Sequence, residues 1–443
     1  MASSAPRQRD EGQHAPVPTE SQKQLHDARR TDSPSLVTAS SPAPTTTTPS
    51  RAPAGSDDCT HRVKHPKAPT EASDDCKAPT VAETRDDRSG EDRLDDHHEH
   101  DQEEEQCLLD MDACFKAFDK DEDGFLSQNE FAALCRALFR NDRGKPYPVE
   151  SSMLNTIFTI FDTNKDHVID KEEFRFCWQK WIKAVVRPVS ALIVVDVQND
   201  FISGSLALIN CPAGHHGEEV IPPINRLLNE VKFDMVVYSL DWHPEDHVSF
   251  IDNVKDRPIH HTSEISSEEA QVNDTVIFDV NNEGVPMAQR LWPRHCVQKS
   301  WGAQLHDELK IVDDSVLVYK GTDPDTDSYS VFWDNNKKSQ TSLNEELQKR
   351  NITDVYICGI AYDVCVSATT AHAIEEGYRA LLIDDGCRGV CDADIQATKD
   401  RTTSNNGLVI HSSQVKSLVS GRDRPPVLAY KLALEIAKKM KKK

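Results

Sequence analysis

Apolar positions along the chain change their spacing twice, and each change marks a different kind of structure. Up to about residue 105 they have no spacing at all, and runs such as SSPAPTTTTPSRAPAG carry few aromatic or branched aliphatic residues. Such sequence cannot bury enough apolar surface to offset the entropy of ordering it, so residues 1–104 are expected to be disordered. From Cys107 a helical period sets in. Leu108, Met111, Phe115 and Phe118 fall on one face, and so do Phe131, Leu134 and Leu138. Leu154, Ile157, Phe158 and Phe161 repeat the pattern, followed by Phe174, Trp178 and Trp181. This spacing predicts two helix–loop–helix units over residues 105–184.

After Val185 the pattern becomes one of short continuous apolar runs. Ala191–Val195 and Met235–Leu240 read as strands buried on both faces, with a helical stretch at Glu218–Lys232 between them. Val316–Lys320, Thr353–Gly359, Arg379–Asp384 and Leu408–His411 supply four more strands. Strands alternating with helical stretches predict an α/β fold, a doubly wound and mostly parallel six-stranded sheet, over residues 188–420. Asp252–Gln289 is polar and reads as a lid or an insertion, with Val276–Phe278 as a short strand. Val427–Lys443 predicts a basic C-terminal helix within residues 421–443. It either packs on the sheet with a solvated lysine tail or binds an acidic membrane or a partner.

Size and charge narrow the function. The 443 residues suit two folded domains plus disordered sequence, and a net charge of −23 argues against a nucleic-acid partner. No run is long enough to cross a membrane, and the N-terminal MASSAPRQRD lacks a signal-type apolar core. Twelve cysteines at scattered spacing then imply reduced thiols and a cytoplasmic location, nuclear access left open. In the N-terminal region, Ser56–Cys59 and Ser73–Cys76 repeat SDDC as low-complexity drift. The run DDHHEHDQEEE reads as a solvated linker, or as a loose metal site through His97, His98 and His100. The oligomeric state is not fixed, and a homo-oligomer is left open.

Each helix–loop–helix unit holds a calcium motif. Asp119–Glu130 fits the EF-hand loop at every key position. Asp119, Asp121 and Asp123 offer side-chain oxygens, Gly124 makes the sharp turn, and Phe125 offers its carbonyl. Ser127 takes the ninth position and Glu130 closes the loop with two oxygens. In the second copy Asp162, Asn164, Asp166, Val168, Asp170 and Glu173 stand at the ligand positions. Its sixth residue is His167 instead of glycine, at a cost of about 1 kcal/mol for a left-handed turn. That loop is expected to bind more weakly, or to be kept for packing.

The strand ends carry the remaining chemistry. Asp196 follows the first strand, Lys320 ends the third, and Cys365 lies in the first turn after the fourth. Exposed amides and the helix dipole favour a thiolate there, so Cys365 reads either as a nucleophile or as one more buried thiol. Asp241 and His243, two apart in extended chain, point to one side and could share a divalent metal. His295 stands behind a rigid Trp-Pro corner. Cys358 reads as core, and Cys387 with Cys391 has no second pair to complete a metal site.

Taken together, VVDVQNDF, LVYKGTD and CGIAYDVCV resemble the Asp-Lys-Cys motifs of the isochorismatase-like cysteine hydrolases. DWHP followed by WPRHC is similar to the nicotinamidases among them, and the fusion to an EF-hand pair resembles those of invertebrate animals. The resemblance implies a nicotinamide deamidase for NAD salvage, with Asp196, Lys320 and Cys365 catalytic. It implies an oxyanion hole at the amides of Ala361 and Cys365, with a cis peptide between Ile360 and Ala361. It also implies a metal, usually zinc, on Asp241, His243 and His295 that takes the pyridine nitrogen. The metal's rival use is to activate water. Phe201 and Tyr362 are expected to line the ring pocket, with Gln198, Asp200 and His247 nearby. Calcium regulation follows from the fusion. Two other readings stand beside this one: another amide or isochorismate-type hydrolase, or a calcium-responsive binding protein with an inactive hydrolase fold.

Overall fold

The computed structural model describes residue 106 and residues 109–280 and 284–442. The N-terminal expectations, including His97, His98 and His100, and Leu108 of the first apolar face therefore lie outside the described residues. The helical pair comes first. After a helix ending at residue 118, the first loop leads into α1 (Gln128–Leu138), and α2 (Ser151–Phe161) enters the second loop, which α3 (Lys171–Cys177) leaves. Both leaving helices open on a capping box, Ser127 with Glu130 and Asp170 with Glu173. The twelfth loop residue thus already holds amides of its own loop. Two-residue strands β1 (Leu126–Ser127) and β2 (Val168–Ile169) pair antiparallel and join the loops. A core of Phe115, Phe131, Phe161, Phe174 and Trp181 fills the space beneath them.

The sheet follows. Its strands are β3 (Ser190–Val195), β4 (Met235–Asp241), β7 (Val316–Lys320), β8 (Asp354–Ile360), β9 (Arg379–Arg388) and β10 (Leu408–Ile410). They lie in the order β10-β9-β8-β3-β4-β7, and every neighbouring pair is parallel. The chain starts at β3, winds outward through β4 to β7, then returns to β8 on the other side of β3. The order therefore reverses between β3 and β8, where α/β sheets form a crevice at the strands' carboxyl ends. β3 and β8 are buried at every residue, which is why their sequence runs are apolar without alternation.

Helices α4 (Ile221–Glu230), α5 (Leu343–Lys349), α6 (Ser367–Glu375), α7 (Asp392–Ser404) and α8 (Ser412–Val419) accompany the strands. The insertion between β4 and β7 holds an antiparallel hairpin, β5 (Thr275–Val280) with β6 (Val285–Arg290). The hairpin has its own small core of Val248, Val254, Val276, Phe278 and Leu291. Sequence reading found only the middle of β5, because β6 is largely exposed and carries Pro286. The C-terminal stretch forms α9 (Pro426–Lys441). It packs against both modules: Leu428 joins the sheet core, while Ala429 and Ala433 join the core of the helical pair. Among the described residues no helix is long and apolar enough to cross a membrane.

Candidate active site

Register brings the candidate side chains to one place. Asp241 pairs with Lys320 at the ends of β4 and β7, and Val195, just before Asp196, pairs with Gly359 of β8. Gly359 has φ +115°, and a Cβ there would lie 2.1 Å from the Val195 carbonyl oxygen. Only glycine lets the two strand ends approach this closely. Beyond it the Ile360–Ala361 peptide is cis, and a π-helical turn over Tyr362–Val366 carries Cys365 into α6.

Lys320 is the hub. Its Nζ lies 2.8 Å from Asp196 Oδ2, donates to Cys365 Sγ at 3.4 Å, and also pairs with Asp241 Oδ1. Ser239 Oγ donates to Asp196 Oδ1 at 2.6 Å. Burial pushes the Lys320 ammonium down, but Asp196, Asp241 and Cys365 outweigh it, and the lysine is held well above its usual range. Burial raises Asp196 even against Lys320. Burial also pushes the Cys365 thiol well up; Lys320 opposes this, while Asp196 and Asp241 add to it. Cys365 therefore rests as a thiol, where the helix dipole suggested a thiolate, and it needs a base to become a nucleophile. Asp196 and Asp241 both bring a carboxylate oxygen within 4.8 Å of its sulfur, and of the two it is Asp241 that also faces His243 and His295.

On the far side of Lys320 stands the metal-type trio. His243 Nε2 and His295 Nε2 lie 3.5 and 3.9 Å from Asp241 Oδ2. Each ring is oriented through its other nitrogen, His243 Nδ1 at 2.8 Å from the Gly321 carbonyl and His295 Nδ1 at 2.7 Å from that of Pro293. Those contacts place a proton on each Nδ1 and turn both Nε2 atoms towards one carboxylate, the arrangement of a divalent-metal site. Burial and then the charge of His243 push His295 down to about 4, so its ring is neutral, while Asp241 raises His243 against its burial. Gly321, at φ +62°, brings its carbonyl under His243, and a Cβ there would meet the ring at 2.4 Å. Donors within reach of a cation also converge in the calcium loops, at Asp119, Asp121 and Glu130 and at Asp162, Asp166 and Glu173. In each loop the first aspartate keeps one buried Oδ1 without a hydrogen bond, Asp119 in one and Asp162 in the other. His167 adopts φ 71°, the left-handed turn that its position demands.

A cleft of about 410 Å³, counting its open mouth, joins Cys365 to Asp241, His243 and His295. Phe201 lines it and packs at 5.5 Å from the His295 ring. Tyr362 does not line it: its hydroxyl donates to Asp384 at 2.8 Å and Lys399 lies over its ring. Within the π-helical turn Val364 and Cys365 face the cleft instead. The lining residues that the sequence alone did not single out include Trp292, Asp327 and Tyr329. Trp292 sits in the same WPRHC run as His295, and the other two in the polar loop after Lys320, where no periodicity marks them. His247 is buried and stacks on His243 at 4.0 Å, with Nε2 at 4.0 Å from Asp327. Gln198 bonds the backbone of Asp241 in both directions and so ties the end of β3 to that of β4. Asp200 accepts from the amides of Ser205 and Cys296 and fixes the loop beside His295.

Comparison with known proteins gives the same two modules. An EF-hand domain pair matches residues 110–177, and an isochorismatase domain matches residues 190–414. A nicotinamidase of Escherichia coli is 35% identical over 205 residues, 46% of this chain and 84% of its own length. One of Saccharomyces cerevisiae is 37% identical over 209 residues, 46% of this chain and 90% of its own. A crystal structure of the yeast nicotinamidase bound to the inhibitor nicotinaldehyde is similar at 33% identity. It covers 50% of this chain and 99% of its own, with a TM-score of 0.42. The isochorismatase match takes in every strand of the parallel sheet and every side chain that meets at Lys320, and on it the chain belongs to the isochorismatase family.

Proposed function

We propose that the chain hydrolyses nicotinamide to nicotinate and ammonia through a thioester on Cys365. The observation that carries this is the meeting of Cys365, Lys320 and Asp196 in one buried cleft with Asp241, His243 and His295. Relatives with nicotinamidase activity in their names, at 35–37% identity over most of their length, support the choice of amide.

Asp196 takes the thiol proton of Cys365, and the sulfur attacks the carboxamide carbon. The oxyanion so formed is held by the amides of Ala361 and Cys365. Asp196 returns its proton to the amine as the C–N bond breaks and ammonia leaves. Water, deprotonated by Asp196, then attacks the thioester, and nicotinate departs as the thiol re-forms. Lys320 stays cationic throughout and balances the charge as it moves between Asp196 and Cys365. Asp241, His243 and His295 would hold a divalent ion, zinc by their oxygen-and-imidazole donor set, whose chemistry is to accept the pyridine lone pair. Phe201 and Trp292 would flank the ring. Calcium would occupy both EF-hand loops and tune the activity. A cytosolic setting suits the nine described cysteines, all free thiols.

Ammonia release from nicotinamide, with benzamide as the analogue lacking the ring nitrogen, tests the reading. The expected result is turnover of nicotinamide with kcat/KM roughly 100-fold or more above that of benzamide. Equal rates would remove the role given to the metal trio, and release from neither would remove the function.

A further inference from the structure

EF-hand pairs that act as sensors answer calcium by changing how they hold an amphipathic helix. In this chain such a helix is already seated. Ala429 and Ala433 of α9 are buried in the core of the EF-hand pair, and Tyr430, Leu432 and Ile436 pack on it. Trp181 Nε1 donates to the Ala429 carbonyl at 2.8 Å. The Trp181 ring in turn lies 6.4 Å from that of Phe131 and 5.4 Å from that of Phe161. Phe131 directly follows Glu130, the last ligand of the first loop, and Phe161 directly precedes Asp162, the first ligand of the second. One aromatic cluster therefore connects both calcium loops to one carbonyl of α9. The loops also have something to exchange. Glu130 now accepts from the amides of Lys120 and Ser127, and Glu173 from those of Thr163 and Asp170. Calcium ligation would redirect those carboxylates.

The opposite face of α9 reaches the hydrolase. Leu428 joins the sheet core. Lys431, only 5% exposed, donates to the Ile374 carbonyl at 2.9 Å and pairs with the buried Glu435 at 2.7 Å. Ile374 is in the last turn of α6, and Cys365 lies nine residues upstream at the head of the same helical stretch, roughly 14 Å away. Lys431 thus grips one end of the element that carries the proposed nucleophile at its other end.

We propose that α9 is the target helix of the EF-hand pair, held within the same chain, and that it transmits calcium occupancy to α6 and so to Cys365. This rests on the nicotinamidase reading for its effect on turnover, but not for its effect on α6. The test uses the full chain freed of calcium, then given calcium, with hydrogen exchange read in α9 and α6 and nicotinamide turnover read in parallel. Calcium is expected to change exchange in both helices and kcat/KM by about fivefold or more. Glu130→Gln with Glu173→Gln should lose all of these responses. Lys431→Met with Glu435→Leu replaces the buried ion pair by apolar side chains. It should still bind calcium by calorimetry and still show the α9 response, but lose the response of α6 and of turnover. Calcium binding that leaves α9 and α6 exchange unchanged would overturn the proposal, and so would a full α6 response in the Lys431/Glu435 variant. Absence of nicotinamide turnover in every sample would count against the function above, and the exchange of α6 would then decide this proposal alone.

Discussion

A lysine sealed at the end of a sheet would ordinarily lose its proton, because burial disfavours the ammonium. Lys320 keeps it because Asp196 and Asp241 reach it from two different strands, and the three charges are stable only together. Replacing Lys320 with Met leaves two buried carboxylates facing each other. Unfolding in urea should show a loss of about 3–5 kcal/mol alongside the loss of turnover. A loss below about 1 kcal/mol would mean that the carboxylates find other partners. Gly321→Ala makes a finer test, since the added methyl must displace the His243 ring or its carbonyl partner. Divalent-metal affinity should fall by about 10–100-fold, measured by competition with a coloured chelator. Tyr362→Phe, by contrast, removes only a hydroxyl bonded to Asp384 outside the cleft, and KM for nicotinamide should stay within about twofold. A large rise in KM would restore Tyr362 to the ring pocket.

Elements differ in how openly their sequence announces them. β3, β4, β7 and β8 are apolar runs that stop at a charged or small residue, so both the strands and the candidate residues at their ends could be read directly. Val316–Lys320 matches to the residue, and β3 and β8 differ by one position. The calcium loops were equally legible, because metal geometry fixes a residue type at almost every position. At the loop boundary Ser127 does double duty as ninth loop residue and helix cap, so Ser127→Ala should lower the stability of the EF-hand pair by about 1 kcal/mol in thermal unfolding. An unchanged transition would show that the cap is redundant. What stayed hidden has no period to betray it. Trp292, Asp327 and Tyr329 reach the cleft from loops, and β6 is a mostly exposed strand that pins Asp327 through Gln289 at 2.9 Å. Tyr362 lies outside the cleft: sequence shows that it adjoins Ala361, but not how the wide π-helical turn orients successive side chains.

On the scale of the whole molecule, the two modules share a helix that the sequence assigns either to the sheet or to an outside membrane or partner. Apolar residues lie on both faces of α9, with Leu428 turned to the sheet core and Ala429 and Ala433 to the EF-hand core. Around it Arg424 bonds the carbonyls of Leu138 and Arg140, Tyr147 donates to Asp423, and Arg379 reaches the Ala184 carbonyl. An amidohydrolase built at the switch point of this sheet and an EF-hand pair are thereby joined by packing as well as by the chain. The proposed hydrolysis depends on one chemical premise, that the thiol beside Lys320 and Asp196 is a nucleophile. Ammonia release from nicotinamide by the full chain, measured beside Cys365→Ala with equal divalent-metal content, tests that premise most directly. Turnover in the wild type and its loss in Cys365→Ala is the expected result. Turnover surviving in Cys365→Ala would contradict the thioester route and turn attention to a metal-activated water.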